Sequence, residues 1–243
     1  MGKGGGVEQS NVRALNSGQA ARPGTVVDAT LDALADRLIR LLNSAGDRII
    51  VGICGAPGAG KSTLAEALAG YLGSDLAVVV PFDGFHLATS VLKGTPLLDR
   101  RGALETFDLG AYYSLIRRLR ARDEDVVYAP TFVRELEEPI ASSIPVPRAI
   151  PIVITEGNYL LSPVKVVREI RTMLDAVWYL DTPPEVRVPQ LVARHIAFGK
   201  LADEAEAWAA GTDQRNAEEI ESTRGSADLI VTVKVKARAG GPA

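Results

Sequence analysis

Five short apolar, β-branched runs punctuate the chain: Ile49 to Cys54, Leu76 to Val80, Ile150 to Thr155, Ala176 to Leu180 and Leu229 to Val233. Each is too short for a helix and lacks polar alternation, which predicts strands buried on both faces. Between them the apolar spacing turns helical. Leu31, Leu34, Leu38, Leu41 and Leu42 mark a helix over Val26 to Leu42, ended by Gly46. Further helices are predicted to about Leu72, then over Leu109 to Ala121, Val164 to Leu174, Glu185 to Gly199 and Asp203 to Glu221. Val126 to Phe132 is a further candidate strand. Strands alternating with helices predict an α/β fold with a mostly parallel sheet and helices on both faces. In such folds ligands sit at the carboxyl ends of the strands.

The ends read differently. Residues 1–24 are rich in Gly, Ser, Asn and Gln without periodicity and have no apolar core of a signal peptide. They are expected to form a disordered tail, followed by one domain over 25–236 and a frayed end over 237–243. The 243 residues are 47% hydrophobic and carry a net charge of −3. That balance argues against a nucleic-acid surface, and no apolar run is long enough to span a bilayer. A cytoplasmic protein acting on a small molecule is expected, with a homodimer an open option. The single cysteine, Cys54, excludes an internal disulfide and reads as a small buried apolar residue.

The chemistry begins where the first of the five strands ends. Gly55, Ala56, Pro57, Gly58, Ala59, Gly60, Lys61 and Ser62 form a complete G-x-x-x-x-G-K-[ST] phosphate-binding loop, followed by Thr63 and a helix. Its glycines let backbone N–H groups converge on phosphate oxygens at a helix N-terminus. Lys61 is expected on the β- and γ-phosphates of a bound nucleotide, and Ser62 on Mg²⁺.

The other strand ends supply acids. Asp83 follows Val80 within Pro81-Phe82-Asp83-Gly84-Phe85-His86, where a carboxylate could take a proton from an attacking hydroxyl. The alternative for Asp83 is a helix cap, and for His86 a structural hydrogen bond. Glu156 follows Ile154 and is preferred over Asp181 as the acid facing Mg²⁺, because Gly157 leaves room beside it. Arg187 and Arg194, seven residues apart, share a helix face. The stretch Arg194 to Lys200 is expected to act as a lid, placing both arginines near phosphates. A solvated basic face is the competing view. Substrate-side candidates are Asp83, His86, Arg101, Arg134, Glu156 and Tyr159, with Arg100 a weaker one.

These motifs together resemble the uridine kinase, phosphoribulokinase and bacterial pantothenate kinase superfamily. The resemblance rests on Gly55 to Thr63, Phe82 to His86, Arg101 to Asp108, Glu156 to Leu161, and Arg194-His195 with Gly199, Asp213 and Asn216. It covers roughly Leu31 to Val233 and lies nearest a branch of nucleoside/nucleotide kinase-like and fructose-transport-system kinase-like proteins. It implies a P-loop kinase fold with a central five-stranded parallel sheet and a helical lid. It also implies ATP-dependent phosphorylation of a small-molecule hydroxyl, with Asp83 as base, Lys61 and Ser62 on nucleotide and metal, Arg194 as a lid arginine and Glu156 as the acid near the metal. Two positions depart. Val133, before Arg134, stands where relatives often carry an acid, and Leu104 stands where proline is common. Competing functions are a nucleotide-dependent switch, which the absence of an Asn-Lys-x-Asp motif weakens for GTP, and a catalytically silent ATP-binding protein.

Overall fold

The structure, a computed structural model, describes residues 24–233. The sequence-expected tail, apart from Gly24, and the frayed end over 237–243 lie outside the described residues, as do 234–236.

The central sheet has six parallel strands: β1 (Thr25–Ala29), β2 (Ile49–Cys54), β3 (Ala77–Pro81), β6 (Ile152–Glu156), β7 (Ala176–Leu180) and β8 (Leu229–Val233). Their spatial order is β1-β8-β7-β2-β6-β3. Two expectations are corrected here. The sheet has a sixth strand, and Val26 to Ala29 belong to it instead of opening a helix. Thr25, Val26 and Val27 are β-branched and pair in register with Leu229, Ile230 and Val231. Helical periodicity begins only after Thr30, in α1 (Leu31–Ala45), which closes on Gly46 in the left-handed conformation.

Alternation along the strands divides the core into two layers. Ile49, Val51, Ile53, Ile152, Ile154 and Trp178 face α1 and α2 (Lys61–Leu72) through Leu34, Leu38, Leu64 and Leu68. Ile50, Cys54, Val153, Val177, Tyr179 and Ile230 face the opposite layer. That layer contains α4 (Leu109–Ala121), α5 (Lys165–Arg171) and α8 (Gln214–Ser222), through Tyr112, Ile116, Ile170 and Ile220. The one-turn α3 spans Thr89–Leu92.

Beside the sheet stands a separate antiparallel hairpin, β4 (Val126–Val133) and β5 (Glu138–Pro147), with an irregularity between Ala129 and Thr131. β5 carries Pro139, Pro145 and Pro147 and is largely exposed, so it lacks the apolar run that marks the central strands. The cavity side is completed by α6 (Pro184–Ala197), α7 (Ala202–Trp208), a π-helical turn over Ala209–Asp213, and α8. The predicted single helix over Asp203 to Glu221 is therefore two helices joined by that wide turn.

Arg48 ties the hairpin to the sheet. It is 2% exposed, and its guanidinium donates to the carbonyls of Ile150 (2.9 Å), Leu119 (3.0 Å), Pro147 (2.6 Å) and Arg148 (3.1 Å). No helix among the described residues is long and apolar enough to cross a membrane.

Candidate active site

The phosphate loop leaves β2 and enters α2 as the motif requires. Gly58 has φ +79, and a Cβ there would lie 2.6 Å from the Arg187 carbonyl oxygen. Gly60, with φ +91, starts α2 and has nothing within 4 Å of where its Cβ would stand. Only glycine serves both demands, a left-handed backbone and close approach. Lys61 is buried and donates from Nζ to the Ala56 carbonyl at 3.1 Å, inside its own loop. Burial pulls its pKa below the usual lysine value, against the raising charges of Glu156 and Asp83.

Two carboxylates converge on this lysine from adjacent strands. Glu156 ends β6, opposite Ile53 on one side and Pro81 on the other, and accepts from Ser62 Oγ at 3.1 Å. Gly157 is indispensable beside it, since a Cβ would stand 2.5 Å from Phe82 Cβ. Burial, then the nearby Asp83 charge, push the Glu156 carboxyl up to about 7. Asp181 is instead paired with Arg224 at 2.7 Å, which supports the preference for Glu156.

Asp83 sits on the short 3₁₀ turn Phe82–Phe85 that follows β3. Its Oδ2 accepts from Arg134 Nη2 at 3.2 Å. Burial would raise its pKa, but His86, Arg134, Lys61 and Arg194 outweigh that and hold the carboxyl below its ordinary value. His86 Nδ1 lies 2.8 Å from the Asp83 carbonyl oxygen, which assigns the proton to Nδ1. Its ring packs on Phe107 and Phe132, with centroids 4.0 and 4.8 Å away. Burial holds this histidine below its usual pKa, so it is neutral at pH 7 with Nε2 as an acceptor.

Asp83 and His86 open onto a cavity of about 360 Å³, whereas Lys61, Ser62 and Glu156 do not line it. Pro57 of the loop, Asp83, His86, Arg101, Phe132, Arg134 and Asn158 line one side. Arg194, His195, Phe198, Lys200, Trp208, Asp213 and Asn216 line the other, from α6 to α8. Burial and Arg134 lower the Arg194 pKa, while Asp83 raises it. His195 Nε2 and Asp213 Oδ2 are 2.8 Å apart, and Lys200 Nζ stands 4.6 Å from the Trp208 ring centroid. The expected lid stretch thus forms the cavity wall, tied to the turn before α8.

Arg187 goes elsewhere. It is 1% exposed, and its Nη2 donates to Gln214 at 3.2 Å and pairs with Glu221 at 3.3 Å. Its guanidinium braces α6 against α8 instead of lining the cavity with Arg194. Tyr159 is also buried, and its hydroxyl donates to the Gly102 carbonyl at 2.9 Å, holding the loop that carries Arg101. Cys54 is buried, donates to the Asn158 carbonyl at 3.1 Å, and burial lifts its thiol to about 11, leaving it unreactive.

Sequence reasoning missed Phe132, Glu137 and Trp208. Phe132 carries Arg101 and Arg134 within 5.7 and 6.0 Å of its ring centroid. Glu137, at the hairpin turn, lines the cavity where Val133 leaves the strand without an acid. The detectable signal was a lone aromatic residue beside Arg134.

The donor set fits a nucleotide. Its phosphates would lie on the backbone of Gly55 to Lys61 and on the buried Lys61 ammonium. Ser62 and Glu156 offer the few oxygens Mg²⁺ takes from a protein when phosphates and water complete its shell.

A parallel sheet, a phosphate loop on its central strand and an acid at the end of a neighbouring strand define a P-loop kinase of small molecules. Residues 50–234 match the phosphoribulokinase/uridine kinase family, and the chain belongs to it. A uridine kinase-like protein of Schizosaccharomyces pombe is 34% identical over 187 residues, covering 74% of this chain and 79% of that protein. Uncharacterized protein YggC of Escherichia coli is 33% identical over 196 residues, covering 79% and 80%. The crystal structure of a fructose transport system kinase-like protein from Silicibacter sp. TM1040 superposes with TM-score 0.75 at 38% identity, covering 83% of this chain and 98% of that one. The chain is accordingly a nucleotide-using phosphotransferase with an alcohol group as acceptor.

Proposed function

We propose that this kinase uses ATP and Mg²⁺ to phosphorylate a hydroxyl of a small metabolite of the sugar, nucleoside or pantothenate-like kind, with Asp83 as the base. The observation that carries this is the shared cavity. Asp83, ionised and steadied by Arg134 at 3.2 Å, faces the same space as Pro57 of the phosphate loop and Arg194.

The acceptor hydroxyl lies against Asp83, which takes its proton as the oxygen attacks the γ-phosphorus. An O–P bond forms, the bond to the bridging β–γ oxygen breaks, and that oxygen leaves with its electron pair on ADP. Lys61 and Arg194 offset the charge spread over the moving phosphoryl group. A bound Mg²⁺ supplies further positive charge at the phosphate oxygens. The neutral His86, with Nε2 as acceptor, orients a hydroxyl of the substrate.

Asp83→Asn tests this directly. Transfer is expected to fall about 10³- to 10⁴-fold, while ATP affinity stays within roughly threefold by calorimetry. Retained turnover at the wild-type rate would remove Asp83 from the mechanism and move weight to a nucleotide switch.

A further inference from the structure

One buried cation in the cavity wall is incompletely used. Arg101 has a side chain only 15% exposed, yet its Nε and Nη2 are buried without a hydrogen-bond partner among the described residues. Its Nη1 reaches Glu137 only at 4.0 Å. An unpaired buried guanidinium is costly, and folded proteins rarely leave one so. The Nε–Nη2 edge is the planar fork that takes a carboxylate or phosphate by two parallel hydrogen bonds.

The fork is held in place. Gly102 takes φ +95, its N–H donates to Thr106 Oγ1 at 3.1 Å, and its carbonyl accepts from Tyr159. The guanidinium lies 5.7 Å from the Phe132 centroid, and Arg134 lies 6.0 Å from the same centroid. Arg134 in turn contacts Asp83. Arg101, Phe132 and the base Asp83 line the same cavity. Of the acids in the wall, Asp213 is bonded to His195 and Asp83 to Arg134, and Glu137 meets Arg101 only at Nη1, 4.0 Å away, leaving the Nε–Nη2 edge unpaired. Arg187 also leaves its Nε unpartnered, but its Nη2 is bound by two side chains and it does not line the cavity.

Resting on the kinase reading above, we propose that the acceptor carries an anionic group, a carboxylate or a phosphate monoester, seated on the Nε–Nη2 edge of Arg101 while its hydroxyl meets Asp83. Neutral polyols and nucleosides are then poor substrates, because they leave that edge unpaired.

The test uses the full chain with ATP and Mg²⁺, and matched acceptors: gluconate against glucitol, glycerol 3-phosphate against glycerol, ribose 5-phosphate against ribose. One anionic member is expected to exceed its neutral partner about 100-fold in kcat/KM, and the arm that responds separates carboxylate from phosphate. Arg101→Gln should raise the KM for that acceptor about 30- to 100-fold with a smaller change in kcat. Arg101→Lys, which keeps the charge but not the fork, should fall between. A neutral acceptor used as well as its anionic partner, or an unchanged acceptor KM in Arg101→Gln, overturns the proposal and leaves the kinase assignment intact. Should no compound turn over, the kinase reading is the one damaged, and Arg101 is read by binding. With the phosphate loop filled by a non-hydrolysable ATP analogue, the same six compounds are titrated by calorimetry. Anion-selective binding lost in Arg101→Gln upholds the proposal, and equal or absent binding in both proteins overturns it.

Discussion

The phosphate end and the acceptor end of this cavity are built on different principles. The phosphate end is made of backbone: a glycine loop continuous with β2 and α2, packed under Arg187 and Leu180. The acceptor end is made of side chains that arrive separately. Asp83 and His86 come from the turn after β3, Arg101 from a distant loop, Phe132 and Arg134 from the hairpin, and Arg194 from α6. Two buried arginines mark the contrast. Arg48 reaches four backbone carbonyls and holds the fold together. Arg101 keeps an edge unused in the cavity wall. Donors fully spent inside the protein indicate structure, and buried donors left over at a cavity indicate a ligand.

If the phosphate end depends on backbone shape, its glycines should be the least replaceable residues. Gly58→Ala combines an unfavourable φ of +79 with a Cβ 2.6 Å from the Arg187 carbonyl. It is expected to cost at least about 1–3 kcal/mol in stability or to displace the loop and weaken ATP binding more than tenfold. Denaturant melts and ATP titration would show either. A variant with normal stability and normal ATP affinity would break the contrast.

Glu156, unlike Asp83, should also carry a folding cost. Burial lifts the Glu156 carboxyl from 4.5 to about 7 in the folded protein. Such an acid binds its proton more tightly folded than unfolded. Its contribution is therefore neutral below about pH 4.5 and grows destabilising as pH rises through 7. Glu156→Gln should stabilise the nucleotide-free protein on the order of 2–3 kcal/mol at pH 8, a rise of several degrees in Tm, and by little near pH 4.5. Activity should fall at the same time. A pH-independent change in Tm would show that Glu156 is not held against its burial.

Beneath both ends the core is conventional, and small deletions there should have small effects. Tyr112 and Thr155 share a buried hydroxyl hydrogen bond of 2.8 Å. Tyr112→Phe should cost about 1–2 kcal/mol by chemical denaturation, with kcat within twofold. A large drop in kcat would mean that the hydroxyl pair positions Glu156, next along β6.

The same contrast explains what could be read from the chain. The five buried strands and α2 announce themselves through runs of Ile and Val and an unbroken glycine motif, because each depends on neighbours in sequence. Asp83 and Glu156 were legible because both stand directly after such runs. β1 was missed because only its edge pairing with β8 distinguishes Val26-Val27 from the helix that follows. β5 was missed because three prolines hide an exposed strand. Phe132 and Glu137 belong to the cavity only through the fold of the hairpin, and Arg187 differs from Arg194 only through what α8 places beside it. Contacts set by long-range convergence leave no local period to detect.

The central claim is that the two ends act together, phosphate held by backbone and a hydroxyl activated by Asp83. The most direct measurement is acceptor-dependent ADP release by the full chain, with ³¹P detection of the product, in the wild type and Asp83→Asn side by side. The account predicts a phosphorylated acceptor and stimulated ADP release in the wild type, both lost in Asp83→Asn while ATP still binds. ATP hydrolysis at one constant rate in both proteins, whatever the acceptor, would contradict it.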